Sequence, residues 1–520
     1  MKVMSRLTSP PSPSAVTNRS RSVPYAKLEE HTLLALLVLS VYYFALSSFA
    51  AVWKLAWYDE LLTLRIAELP SVSAILAALP NFHADPPAYS LLTHLFVAAF
   101  GATPFSIRLP SIIGNWVGML ALYLLLSNYI GRICAGSGAI FVQLTFAAPY
   151  AYEGRPYALL FGASALTLLL WHRAARTKTV SAYALFALSA FSVICMHYYG
   201  VLVIATLAAG EIVRTVWERS VRWPMWLGLA AGFTPLLLFY PFYHPAHSYE
   251  SAGMRFVNWN SPHPGALLRS YISALEPAAI PLFLLLVLTV ALTLSSPTRQ
   301  LHHFPVWTAA EWTVVAGFGL LPIGAYALGQ VTSAYQTRYV LPMIIAFATL
   351  FAIAIFFTAG SRGVLSVACF SLVTLWACGQ VALFAKSEYA SRNDRTGVLN
   401  VLARTSGLPL AIASPHAFYE LWSSAGLPLR SRLWYLLDNA SELRYTGSNI
   451  FEFQFPMLQR YDPIQLSRFD AFIARNPSFY VYTGGDQESW LVPKLLESGC
   501  RLELMRDKSY AHLLSARCWK

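Results

Sequence analysis

Apolar runs about 20 residues long, the length a helix needs to cross a bilayer, recur along the first three-quarters of the chain. They predict spans near residues 33–53, 108–130, 133–151, 156–172, 180–197, 199–216, 224–243, 274–295, 311–330, 339–358 and 363–385, about eleven in all. The connector 54–107 is longer than the rest. Its stretch PPAYSLLTHLFVAAFG (Pro86 to Gly101) is apolar but short. Counting it as a span would break the alternation of the connectors that follow, so it predicts a helix lying in or dipping into the interface. Leu61, Leu64, Ile66, Leu69, Ile75, Leu76 and Leu79 are spaced for one apolar face, which predicts one or two amphipathic helices before it.

From about Lys386 the pattern changes. Residues 386–520 carry 16 Lys+Arg and 13 Asp+Glu and no run long enough to span. LPLAIAS (408–414) and SFYVYTGG (478–485) read as buried strands, IQLSRFDAFIARN (464–476) and SWLVPKLLESG (489–499) as amphipathic helices. Strands alternating with helices predict a small α/β domain. The organisation is then a disordered basic tail (1–30), a membrane domain (31–385) with a first loop at 54–107, and the α/β domain (386–520).

Composition agrees with the pattern. Of 520 residues 56% are hydrophobic and 12% charged, where a soluble domain is typically about a quarter charged. The net charge of +12 does not point to nucleic acid, because Lys and Arg cluster in short connectors between apolar runs. Alternate connectors are basic: Arg132; Arg173, Arg176 and Lys178; Arg214, Arg219 and Arg222; Arg299; Arg362. The positive-inside rule therefore predicts a multi-pass protein of the cytoplasmic (inner) membrane with its N-terminus inside and its C-terminal domain outside. The first apolar run is too long for a cleavable signal and no small-residue cleavage site follows it. Cys500 and Cys518 stand near two candidate terminal strands, and an oxidising exterior leaves a disulfide or two free thiols open.

The connectors on the expected outer side gather the polar groups: Asp59 and Glu60 in WYDELL, His83 and Asp85 in NFHADPPAY, Glu153, Arg155 and Tyr157 in YEGRPY, His197 in HYY, Arg338 and Tyr339 in TRYVLP. A carboxylate can take a hydroxyl proton as general base, and Arg can hold a phosphate through charge-assisted, often bidentate bonds. Plainer readings stand beside these. Neighbouring helical residues point about 100° apart, so Asp59 and Glu60 cannot both face one site, and one could cap a helix. His83 could be a solvated loop residue, and Glu153 could pair with Arg155.

In order along the chain, the Asp-Glu pair after the first run, the Pro-Pro-x-Tyr helix, IRLPSIIGNW, EGRPYALL and RYVLP resemble the GT-C glycosyltransferases. Among them the chain is most similar to the polyprenyl-phosphate-sugar-dependent bacterial enzymes related to protein mannosyltransferases and the lipid A aminoarabinose transferase, over about residues 30–385. The resemblance implies Asp59 as the catalytic base with Glu60 as its partner, and Arg155, Arg338 and Tyr339 at the donor phosphate. Asp85, Glu153 and His83 would be positions that contact a metal or the donor. The family often has His-Pro-Pro where this chain has Asp85 before Pro86 and Pro87, which leaves a divalent cation open and requires none. The implied reaction is inverting transfer of a sugar from a polyprenyl-phosphate donor to a glycan, lipid or protein hydroxyl of the cell envelope. The α/β domain would orient the acceptor or brace the membrane part. The rival classes are a transporter or flippase, which places ionisable residues at mid-membrane, and an O-antigen polymerase or ligase, which uses large late loops.

Overall fold

The computed structural model describes residues 23–81, 85–242, 262–280, 307–332, 334–359, 363–405, 407–484, 489–508 and 511–519, with scattered positions between 281 and 306. The basic tail before Val23 and His83 lie outside the described residues. The chain is a mostly helical multi-pass membrane protein with a small strand-containing C-terminal unit.

Seven described helices are long and apolar enough to cross a membrane, or eight if Ala309–Gly319 and Leu321–Thr332, bent by 56°, form one span. The predicted segments 133–151 and 180–197 form shorter apolar helices, and most of 274–295 lies outside the described residues. The first of these is a correction. The run breaks into α6 (Arg132–Phe141), a 3-10 turn (Val142–Leu144) and α7 (Ala147–Tyr150). Thr145 is extended and its hydroxyl takes the Val142 carbonyl, while Phe146 N–H reaches across to Ala274 O. That lost helical turn turns the chain inward toward Glu153 and Arg155.

Before it, α1 (Val23–Trp53) leads into α2 (Tyr58–Ala67), α3 (Val72–Ala78) and α4 (Pro87–Phe100). Leu61, Leu64, Ile66, Ile75 and Leu79 are buried, as their spacing predicts. Pro87 at the first turn of α4 loses no hydrogen bond there. α5 (Pro104–Ile130) and α8 (Tyr157–Thr177) cross very closely: a Cβ on Gly162 would lie 2.1 Å from Gly114 O, and one on Gly118 2.4 Å from Phe161. Small residues at such crossings let backbones meet without hydrophobic drive between helices. The contact brings the start of α5 against the loop 151–156; Ser111 Oγ donates to Arg155 O at 2.9 Å.

α9 (Val180–Met196), α10 (Gly200–Glu218) and α11 (Trp223–Leu238) complete that side of the bundle. At the far ends of α8 and α10 sits a second polar cluster. His172 Nδ1 is 2.8 Å from Glu311, its Nε2 is 2.6 Å from Tyr129 Oη, and Arg214 pairs with Glu211 at 2.5 Å beneath Trp171. The spans are thus less free of charge than their hydropathy suggests.

The helix Gly363–Ala403 runs unbroken past Lys386 and delivers the chain to a six-stranded sheet of order β3-β2-β1-β4-β6-β5. β1 (Leu410–Ile412), β2 (Leu433–Leu437), β3 (Leu466–Arg468) and β4 (Ser478–Tyr482) are parallel; β6 (Ala511–Arg517) and β5 (Arg501–Lys508) add antiparallel. The segment 464–476, expected to be all helix, gives β3 and only then the helix Phe469–Arg475. A disulfide joins Cys500 to Cys518 beside β5 and β6. Phe469, Phe472, Trp490 and Leu495 cover one face of the sheet. On the other, the helices Pro415–Ser424 and Ile450–Leu458 form one core with α2 and α3, through Tyr58, Leu62, Ile66, Phe418, Tyr419, Phe451 and Phe455.

Candidate functional site

Three consecutive residues at the start of α2 point three ways. Tyr58 is buried against the C-terminal helices, with ring contacts to His416, Tyr419 and Phe451 at 4.9, 5.8 and 5.7 Å. Glu60 is fully buried in the membrane domain. Asp59, between them, keeps 24% of its side chain exposed. The helical 100° step produces this split.

Asp59 faces Arg155, whose Nη2 lies 3.7 Å from Asp59 Oδ2 and 3.3 Å from Asp85 Oδ2. Behind Asp85, His197 Nε2 stands 3.9 Å from Oδ1, while its Nδ1 accepts the Tyr199 N–H at 3.2 Å. That bond fixes the neutral tautomer with its proton on Nε2, toward Asp85. Burial pulls the imidazole down to about 4 against the opposing field of Asp85, so it is neutral at physiological pH.

Arg155 Nη2 reaches Tyr157 Oη at 3.4 Å, and the guanidinium lies 5.7 Å from the Tyr157 ring. Arg338, from the 3-10 segment Thr337–Met343, lies 5.4 Å from the same ring and 5.9 Å from that of Tyr339. Tyr339 packs at 4.8 Å on His197 and 5.0 Å on Tyr199. Arg155 Nε and Nη1 and Arg338 Nε are buried with no hydrogen-bond acceptor among the described residues. Two guanidiniums beside one tyrosine ring, with N–H groups unanswered among the described residues, have the chemistry to hold an anion.

Glu60, expected beside Asp59, stands apart from it. Arg108 Nε and Nη2 clasp its carboxylate at 2.8 and 2.5 Å, and Gly154 N–H donates at 2.6 Å. Burial alone would raise Glu60, but Arg108 and Lys54 reverse this and hold it below the usual carboxylate range. Arg108 also donates to the carbonyls of Ala51, Lys54 and Leu55, tying the end of α1 to α5. Glu60 therefore braces the helix that carries Asp59. Glu153 does not pair with Arg155 through its side chain; its nearest cation is Lys54 Nζ at 3.9 Å, and burial raises its carboxyl.

Asp59 and Asp85 thus meet at Arg155, with Arg338 and Tyr339 beside them across the Tyr157 ring, while Glu60 turns to Arg108 and Glu153 has Lys54 as its ion-pair partner. Sequence reasoning missed Arg108 and Lys54, and left His197 without a role. Arg108 carried a signal of its own, a charge at the first residue of the predicted span 108–130. Among the described residues no three His, Cys, Asp or Glu converge as metal ligands. The cation that stands nearest Asp59 and Asp85 among the described residues is the Arg155 guanidinium.

Residues 84–244 match the family described as dolichyl-phosphate-mannose-protein mannosyltransferase. No curated protein matches the chain by sequence. Among solved structures it is similar to ArnT from Cupriavidus metallidurans bound to undecaprenyl phosphate, with TM-score 0.57, 13% identity, and coverage of 92% of this chain and 98% of that one. The apo ArnT structure gives TM-score 0.57 at 14% identity, covering 93% and 98%. By fold this multi-pass membrane chain is similar to the two ArnT structures.

Proposed function

We propose that this GT-C-fold membrane protein moves a sugar from a polyprenyl-phosphate carrier to a hydroxyl of a cell-envelope glycan, lipid or protein, inverting the anomeric carbon. The observation that carries the reading is Asp59, partly exposed, held at 3.7 Å from a buried Arg155 whose remaining N–H groups lack acceptors. The similarity to an ArnT structure that holds undecaprenyl phosphate supports the donor class. The alternation of basic connectors supports a reaction on the outer face of the inner membrane.

The donor phosphate enters the space walled by Tyr157, Tyr199 and Tyr339, where Arg155 and Arg338 bind its oxygens. Asp59 takes the proton of the acceptor hydroxyl, whose oxygen attacks the anomeric carbon from the face opposite the phosphate. The carbon–oxygen bond to phosphate breaks, and the two guanidiniums stabilise the charge that develops on the leaving group. A phosphate leaves without protonation, so one carboxylate suffices. Asp85 and neutral His197 hold Arg155 in place.

The test is transfer by the purified protein in liposomes supplied with lipid-linked sugars and envelope acceptors from its host. Asp59→Asn is expected to lower turnover by roughly 10²–10⁴-fold while binding of polyprenyl phosphate persists. Full transfer by that variant would remove Asp59 as base, and flux of a solute without covalent product would favour a transporter.

A further inference from the structure

The two ends of α2 are pinned by the C-terminal domain, and the pins flank Asp59 in sequence and in space. At the N-terminal end Tyr58 Oη donates to Gln454 Oε1 at 2.9 Å, inside a cage formed by His416, Tyr419, Phe451 and Phe455. Two turns later Arg65 Nε donates to Asp462 Oδ2 at 3.0 Å. Asp462 is itself held, since Tyr419 Oη and Trp422 Nε1 both donate to it at 3.2 Å. The helix has no help from its own cap: Trp57, the N-cap residue, offers no side-chain bond. On the opposite flank the Glu60–Arg108 clasp, the Gly154 N–H on Glu60 at 2.6 Å and the His94 ring, 2.8 Å from Ala67 O, tie α2 to the membrane domain.

With Glu60 and Ala67 as its ties on that flank, the ten-residue helix would still be free to roll about the line between them. Rotation would carry Asp59 along an arc while leaving Glu60 in place. The two C-terminal pins remove that freedom, because they grip residues one before and six after Asp59. We infer that Gln454 and Asp462 are positioning residues for the reaction: the C-terminal domain, through Tyr58 and Arg65, sets the angle at which Asp59 meets the acceptor hydroxyl. This rests on the assignment of Asp59 as base. A general base must lie within hydrogen-bond reach of the proton it removes, and a displacement of about 1 Å can cost of the order of 10²-fold in rate.

The pins are cut from the α2 side, which leaves Asp462 its bonds to Tyr419 and Trp422. Tyr58→Phe removes only the hydroxyl, and Arg65→Gln removes the guanidinium with its bonds to Asp462 and to Glu68 at the end of the same helix. Each is expected to lower kcat about tenfold and the pair about a hundredfold, with KM for the lipid-linked donor and binding of polyprenyl phosphate within about twofold of wild type. Arg65→Lys, which keeps a cation for Asp462, restores most of the loss. Amide hydrogen exchange across residues 58–67 should quicken in the double variant whether or not turnover is measurable. Wild-type kcat and unchanged exchange in that variant would overturn the proposal, as would a kcat loss matched by lost donor binding. Asp59→Asn run in parallel separates the two readings. If it is inactive and the pin variants behave as wild type, only the positioning role fails; if it retains activity, the base assignment fails first.

Discussion

Asp59 and Arg155 stand 3.7 Å apart, a loose contact for opposite charges with most of one partner buried. A tight pair would spend the carboxylate on the guanidinium. A loose one leaves Asp59 able to accept a proton and Arg155 free to turn to a phosphate. Since the proposed phosphate contact uses the planar fork of Arg155, a lysine there is not equivalent. Arg155→Lys is expected to raise the donor KM roughly 10–100-fold, the equivalent of about 1.5–3 kcal/mol for a lost charge-assisted bond, and Arg338→Lys to follow in the same direction; titration with polyprenyl phosphate measures both. These residues were legible because a charge in so apolar a chain is exceptional, and the topology gathers such charges at one face. Glu60 was legible as a charge but not in its direction. Its partner Arg108 lies 48 residues away, on α5, which packs directly against α2.

α2 shows what the period of apolar residues reveals and what it conceals. Leu61, Leu64 and Ile66 announced a buried face, yet the helix is clasped from both sides and its polar residues are nearly as constrained. Breaking a fully buried ion pair leaves an uncompensated charge and costs about 3–5 kcal/mol. Glu60→Gln or Arg108→Met should therefore lower the melting temperature of the detergent-extracted protein sharply. The double change Glu60→Met with Arg108→Met should cost less than Arg108→Met alone, because it leaves no orphaned charge. The segment 133–151 failed as a single span for a different reason. Hydropathy sees the run but not the Thr145 side chain that closes on Val142 O.

The membrane bundle was the most readable part of the molecule, since each span must satisfy its own backbone in lipid. The C-terminal sheet was only half readable. β1 and β4 are apolar and central, but the short edge strand β3 runs straight into a helix and shares its pattern. Its helical layer holds a pair of acids with a pH signature. Burial raises Glu442 to about 9, helped by the Glu452 charge, and raises Glu452 to about 7 against the Asp438 N–H that donates to it. Both folded values exceed the unfolded value of about 4.3. The folded state therefore binds protons more tightly, and this stability is complete below the unfolded value and lost as pH rises through about 7 and about 9. The melting temperature of the full chain should fall by about 5 °C across that window, and Glu442→Gln should flatten the fall.

The helix Gly363–Ala403 belongs to both halves of the protein. At about 1.5 Å per residue it is roughly 60 Å long, twice the thickness of a bilayer's hydrocarbon layer of about 30 Å. Its upper part grips both domains: Arg392 lies 5.0 Å from the Trp53 ring and donates to Val52 O at 3.0 Å, and Arg395 bonds Glu420 on the helix that packs against α2. Such a rod behaves as a lever. When lipid thickness departs from the length of the apolar stretch, the rod tilts to compensate, and its far end swings against the wall of the reaction centre. Turnover should then depend on acyl-chain length, with an optimum in lipids of intermediate thickness and a decline in thinner and thicker ones. Assays in liposomes of graded phosphatidylcholines at constant donor fraction would reveal this, and a flat response would mean that the joint between rod and centre is slack.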